Sequence, residues 1–223
     1  MKKLLGLLIC TITFFAAPQA KASESKLPYG AAPLSSRTLS IGADIGIDPV
    51  NTFLYNLRLD YGLGSRFQVG ISGSFWGFLN TLEPSLLANI LKSSDNHHFL
   101  SLRLSTPLYH TKGFHFDEET NLNDISVFLF TIHPELAYEY RKSTNTGIYT
   151  KVGTFHLLAA SANGELFGLL DEGLKPAISI KAGLQHNTGK NFTIGFEAGS
   201  YFVPGKAFDP IGLAGKLRLA VAF

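Results

Sequence analysis

The 223-residue sequence is poor in the residues that cross-link, ligate or solvate most small proteins. It has one cysteine, one methionine and one tryptophan, and charged side chains make up 16% of it. Cys10 lies inside an N-terminal apolar run, Leu4 to Phe15, which follows Met1-Lys2-Lys3 and precedes the small-residue site Ala20-Lys21-Ala22. That order of basic, apolar and small-residue regions predicts an export signal over 1–22, removed after Ala22. A chain starting at residue 23 then has no cysteine, so neither a disulfide framework nor a thiolate metal site is available to it. The signal carries off Lys2, Lys3 and Lys21, leaving sixteen basic against seventeen acidic residues. No nucleic-acid partner is expected of so balanced a charge.

Long apolar runs are missing as well. A spanning helix needs roughly 20 consecutive apolar residues, and outside the signal none is present. Soluble domains carry about 25% charge, so this chain is too lightly charged for them and lacks the helices of the common membrane alternative. Hydrocarbon demands that every backbone donor and acceptor be paired internally, and apart from helices only a closed barrel does so.

What the sequence does have is alternation. Leu39, Ile41, Ala43, Ile45 and Ile47 alternate with Ser40, Gly42, Asp44 and Gly46. Tyr55, Leu57, Leu59 and Tyr61 alternate with Asn56, Arg58 and Asp60. The same period of two recurs around Phe67–Ile71, Leu100–Leu104, Phe128–Tyr140, Ile178–Leu184, Phe192–Phe196 and Ile211–Phe223. Two stretches are less regular: 147–157 has mixed parity, and Leu86, Leu87, Ile90 and Leu91 would equally suit one face of a helix. Counted as strands, they bring the total to ten; eight remain without them, and bacterial single-chain barrels use even numbers. The expected fold is therefore all-β, a transmembrane antiparallel up-and-down barrel over 37–223. Residues 23–36 would form a periplasmic lead-in, and Pro134 would mark a bulge or local break. Short connections ("GLGS", "SDNHH", "KSTNTG", "HNTGK") alternate with long ones at 109–124 and 158–176, as periplasmic turns and outer loops do. In the second long segment, Leu166, Phe167, Leu169 and Leu170 suggest a short apolar helix at the rim.

The last strand carries the most specific mark. Leu217, Leu219, Val221 and the terminal Phe223 share one parity. This resembles the C-terminal signature of small Gram-negative outer-membrane β-barrels, by which the barrel assembly machinery recognises its clients. The resemblance implies an outer-membrane location, lipid and that machinery as partners, and a small solute or surface ligand at most.

Strand parity sends Asp44, Asp60, Glu135, Glu139 and Glu197 into the lumen with Arg58, Arg103, Lys151, Lys181, Lys216 and Arg218. In a narrow interior such charges are expected to pair, with Arg58, Arg103 and Arg218 held by Asp60, Glu135, Glu139 or Glu197. No catalytic set stands out. His156 and Ser161 straddle a strand end, and His186 precedes Asn187 and Thr188. His110, His115, Asp117, Glu118 and Glu119 crowd one outer loop, where a solvated acidic loop is the simpler reading than a metal site. No cofactor or metal is expected. The expected function is that of a non-enzymatic structural barrel or narrow passive conduit. A surface binding or adhesion protein acting through loops 109–124 and 158–176 is one alternative; a lipid-modifying enzyme or protease is the other.

Overall fold

The computed structural model describes residues 26–47, 54–74, 79–112, 126–162, 165–167, 176–189, 191–202 and 210–223. Within them lie twelve strand segments: β1 (Leu39–Ile47), β2 (Leu54–Gly62), β3 (Phe67–Ser74), β4 (Leu79–Lys92), β5 (His98–Ser105), β6 (Leu108–Lys112), β7 (Ser126–Ser143), β8 (Thr146–Ala162), β9 (Glu165–Phe167), β10 (Ala177–Asn187), β11 (Phe192–Phe202) and β12 (Pro210–Ala222). β5 and β6 are one stave interrupted at Thr106-Pro107, since both pair with β4 on one side and β7 on the other. β9 is a three-residue addition to the end of β8. The remaining neighbours pair antiparallel in sequence order, and β12 pairs back onto β1. The result is a closed antiparallel barrel of ten staves, the number read from alternation.

Closure is stitched at its last residue. The Phe223 amide donates to the Leu39 carbonyl at 2.8 Å and the Leu39 amide to the Phe223 carbonyl at 3.2 Å. Phe223 points outward, 68% exposed, in line with Leu217 and Leu213 on the same face. Across the wall the outward parity is almost wholly apolar: Ile41, Ile45, Leu57, Leu59, Ile71, Leu102, Leu136, Val152, Ile180, Leu184 and Phe196 are all substantially exposed. The inward parity is polar and buried. This inversion of the usual arrangement is the pattern of a barrel that meets hydrocarbon with its outer surface.

The two irregular stretches are both strands, and their side chains explain the ambiguity. In β4 the register with β5 shifts between Asn89 and Leu91. A bulge adds one residue and so flips the face of every residue beyond it. Leu86 and Leu91 both face outward across it, while Leu87 faces in and is buried, which reproduces a helical spacing inside a strand. The Asn89 side-chain amide fills the gap by donating to the carbonyls of Leu91 and Leu100 and to Ser101 Oγ. In β8 the mixed parity arises because Tyr149 and Phe155 face the interior while Ile148 and Val152 face out. Pro134 leaves the register of β7 unshifted; its pairing with β8 skips His133 and Pro134, and the actual bulges lie at Phe130/Thr131 and Arg141/Ser143.

Four short turns close one end: β2–β3, β4–β5, β7–β8 and β10–β11. In the β4–β5 turn Asn96 takes a left-handed φ of 60°, which asparagine tolerates well. Asp95 there accepts from the Ser93 hydroxyl and the His97 amide, and these bonds hold its carboxyl below the usual range. The helix expected at 166–170 is not formed where it can be seen: Leu166 and Phe167 belong to β9, pairing with Ser161 and Ala160. Positions 169 and 170 lie outside the described residues, as do His115, Asp117, Glu118 and Glu119 and the predicted signal 1–22.

Leu217 stands mid-strand, opposite Ile45 on one side and Phe196 on the other. Leu217→Arg is expected to destabilise the barrel by about 2–4 kcal/mol, the cost of a cation near a bilayer midplane, while Leu217→Val stays near wild type. Urea unfolding in lipid vesicles measures the difference.

Candidate functional site

The interior is built in three tiers along the barrel axis. Nearest the short turns lies a segment that strand periodicity does not announce. Residues 27–34 are buried, and they lie inside the lumen. Within the periplasmic lead-in expected over 23–36, residues 27–34 form a plug, held by polar side chains of the wall. The Tyr29 amide donates to Gln185 Oε1 at 3.0 Å, the Ala32 amide to Glu139 Oε2 at 2.8 Å, and the Leu34 amide to Gln68 Oε1 at 3.0 Å. Ser101 Oγ donates to the Ala31 carbonyl, and Thr193 Oγ1 to the Lys26 carbonyl at 3.3 Å. A non-strand backbone within a barrel must have its amides and carbonyls satisfied, and five different staves supply the partners.

Apolar contacts complete the plug. Tyr29 packs with Tyr149 and Ala220, and Ala31 and Ala32 pack with Phe99 and Ala137. The Tyr29 hydroxyl donates to the Leu219 carbonyl at 2.7 Å, and its ring lies 5.0 Å from the Arg218 guanidinium. Glycines permit the close approach. A Cβ on Gly30 would fall on the Glu139 carboxylate and the Gln185 amide, and one on Gly42 would strike the Tyr29 hydroxyl.

Above the plug is a tier of charge. Of the eleven residues assigned to the lumen by parity, nine line the cavity above the plug, Glu139 bonds the plug itself, and Asp60 is buried against Arg58 and Gln68. Arg58 pairs with Asp60, doubly hydrogen-bonded through Nε and Nη2. Lys151 pairs with Glu197 at 2.8 Å, Lys181 with Glu135 at 3.2 Å, and Arg218 with Glu197 at 2.8 Å and Asp44 at 3.8 Å. Glu139 belongs to the plug tier, where Arg141 Nε donates to it at 2.9 Å and Gln185 Nε2 at 3.1 Å. Of the three arginines expected to be held by carboxylates, Arg58 and Arg218 are. Arg103 is not: it makes no ion pair within 4 Å among the described residues, and its Nε has no hydrogen-bond partner.

Toward the long connections the wall becomes apolar and aromatic. Tyr109, Leu129, Phe155, Ala177 and Tyr201 surround a cavity of about 380 Å³ whose floor is the charge tier. Tyr109 and Phe155 meet edge to face at 6.0 Å.

Sequence reasoning missed Gln68, Gln185 and Arg141, which hold the plug, because uncharged amides and strand-end residues carry no motif. Their signal was the rarity of long polar side chains on an otherwise small-residue inner face. Candidate catalytic groups are not brought together. His156 Nε2 contacts Thr154 Oγ1 at 2.9 Å and His186 Nδ1 contacts Thr146 Oγ1 at 2.8 Å; neither reaches a serine. One Ser–His pair does exist inside, His133 Nε2 to Ser179 Oγ at 3.1 Å, with Ser179 fully buried. His110, from the acidic outer segment, stacks on Phe128 at 4.3 Å.

The fold and lumen define a small barrel of the outer-membrane type. No protein-family model and no curated protein matches the chain. Solved structures similar to it include the translocator domain of autotransporter NalP from Neisseria meningitidis (10% identity, 100% of this chain and 95% of that one, TM-score 0.44). The NanC porin (10%, 83% and 98%, TM-score 0.41) and the N-terminal β-barrel domain of Pseudomonas aeruginosa OprF (12%, 84% and 98%, TM-score 0.31) are others. At such identities and scores they specify neither solute nor activity for this chain.

Gly30→Val should drive the plug out of its seat without touching the strands. In a background lacking Cys10, a single cysteine at Ala32 is expected to resist a membrane-permeant maleimide in the parent barrel. With Gly30→Val added it should label readily, which mass spectrometry reads directly.

Proposed function

We propose that this protein spans the outer membrane as a narrow, non-enzymatic conduit whose own N-terminal segment holds it shut. The observation that carries the reading is the buried plug at 27–34, seated under a paired charge tier inside a wall that is apolar outside. Supporting the location are the exposed aliphatic surface and the outward Phe223 at the closing edge of the barrel, where an export signal over 1–22 and a terminal recognition feature for the assembly machinery would fit together.

The chemistry of the lumen supports transport or closure over catalysis. Four of its carboxylates, Asp60, Glu135, Glu139 and Glu197, are each committed to a cation, which withholds them from acid–base work. An ion crossing the barrel would meet a lumen whose bases slightly outnumber its acids and would then meet the plug. The plug enters and leaves on the short-turn side: Lys26 Nζ donates to Asn191, and the Arg37 amide bonds to the Gly62 carbonyl. It can therefore withdraw toward that side without unthreading a strand.

Planar-bilayer recordings test the reading. The intact barrel is expected to give rare, small openings, and a form lacking residues 27–34 steady and larger ones with a mild anion preference. Equal conductance in the two forms would contradict the plugged-conduit reading, with retained heat-modifiable mobility showing that both are folded. Deleting Phe223 is expected to lower membrane levels of the folded barrel, read by the same mobility assay.

A further inference from the structure

Arg103 and Lys216 are the two lumen bases that form no ion pair among the described residues, and Arg103 is the more deeply buried of them. Arg58, Lys151, Lys181 and Arg218 each hold a carboxylate, whereas Arg103, 7% exposed and lining the cavity, holds none. A buried guanidinium without a counter-ion is costly, and its five donors suit a planar oxyanion. Two further groups on the same cavity share its condition. Ser105, the next inward residue of the Arg103 stave, and Ser74 on β3 are both almost fully buried, and neither Oγ has a hydrogen-bond partner. Asp44 Oδ1 and the Nε and Nη1 of Arg218 on the same cavity also lack hydrogen-bond partners, but both of those residues are engaged in an ion pair, whereas Arg103 and Ser105 are donors side by side on one stave with none.

The surroundings narrow that anion. Glu83 and Glu135 also line the cavity, and their charge repels a doubly charged group more strongly than a singly charged one. One side of the wall above, with Tyr109, Leu129 and Phe155, is apolar, and a volume of about 380 Å³ is within the usual range for small-molecule pockets. We propose that the lumen cavity binds a small organic monocarboxylate, its carboxylate on Arg103 and the Ser105 hydroxyl two residues along the same stave, its apolar body against Phe155, Leu129 and Tyr109. An Arg–carboxylate pair of this kind is commonly bidentate, which fixes orientation as well as affinity. Binding of this kind requires the cavity alone and goes beyond the conduit reading, so its failure would leave that reading untouched.

Benzoate is a suitable probe, with benzamide as the neutral isostere and acetate as the head without the body. Ligand-observed NMR on the full barrel in micelles is expected to show benzoate bound at least about tenfold more tightly than benzamide, the scale of a charge-assisted bond. Arg103→Gln should remove that preference and Arg103→Lys restore part of it. Phe155→Ala should weaken benzoate and leave acetate unchanged. Benzoate and benzamide binding alike, or inorganic phosphate displacing benzoate at equal concentration, would overturn the proposal. If Arg103→Gln does not assemble, the benzamide comparison on the intact barrel and the Phe155→Ala pair decide the matter on their own.

Discussion

Pairing of every backbone group in the wall is the constraint on which this molecule depends. Antiparallel strands satisfy it only when the last one returns to the first, and the reciprocal bonds between Leu39 and Phe223 complete that ring. Once the ring is closed, alternation along each strand separates an outer from an inner surface. Outer residues are free to be apolar, and here they are. Inner residues face a space with little room, and that space creates the second problem.

Ten staves enclose more volume than their own inner side chains fill, since eight are already enough for a packed interior. The chain fills the surplus differently at each level. At the short-turn end its own backbone enters and is bonded by Gln68, Glu139 and Gln185. At mid-height long charged side chains reach across the lumen, as Lys151 and Arg218 do to share Glu197. At the long-connection end aromatic groups line a cavity that the described side chains do not fill. The plug and the charge tier are coupled: Glu139 bonds both Arg141 and the plug, and Arg218 lies over Tyr29 while holding Glu197. Displacing the plug would therefore disturb the ion pairs above it, which links any opening motion to the charge seen by a passing solute.

The barrel was legible because alternation is a local signal that repeats. Parity alone placed Asp44, Arg58, Glu135 and Arg218 inside, since nothing in a regular strand can move a side chain to the other face. It weakened where geometry broke the period: at the Asn89 bulge, which mimicked a helix, and in β8, where Tyr149 and Phe155 turn an aromatic inward. The plug was not legible. "LPYGAAPL" has no period, and Pro, Gly and Ala read as a linker until a lumen is available to receive them. Which carboxylate each base takes was also hidden, because the partner depends on reach across the lumen between staves far apart in sequence, such as Lys181 and Glu135.

Hydrogen exchange tests the central claim, that the N-terminal segment is a structural part of the lumen. The amides of Tyr29, Ala32 and Leu34 each donate to a buried side chain, so in micelles they should exchange as slowly as strand amides such as that of Leu217. Exchange at the rate of a free chain for all three, with the strands still protected, would contradict the account and return residues 27–34 to the role of a linker.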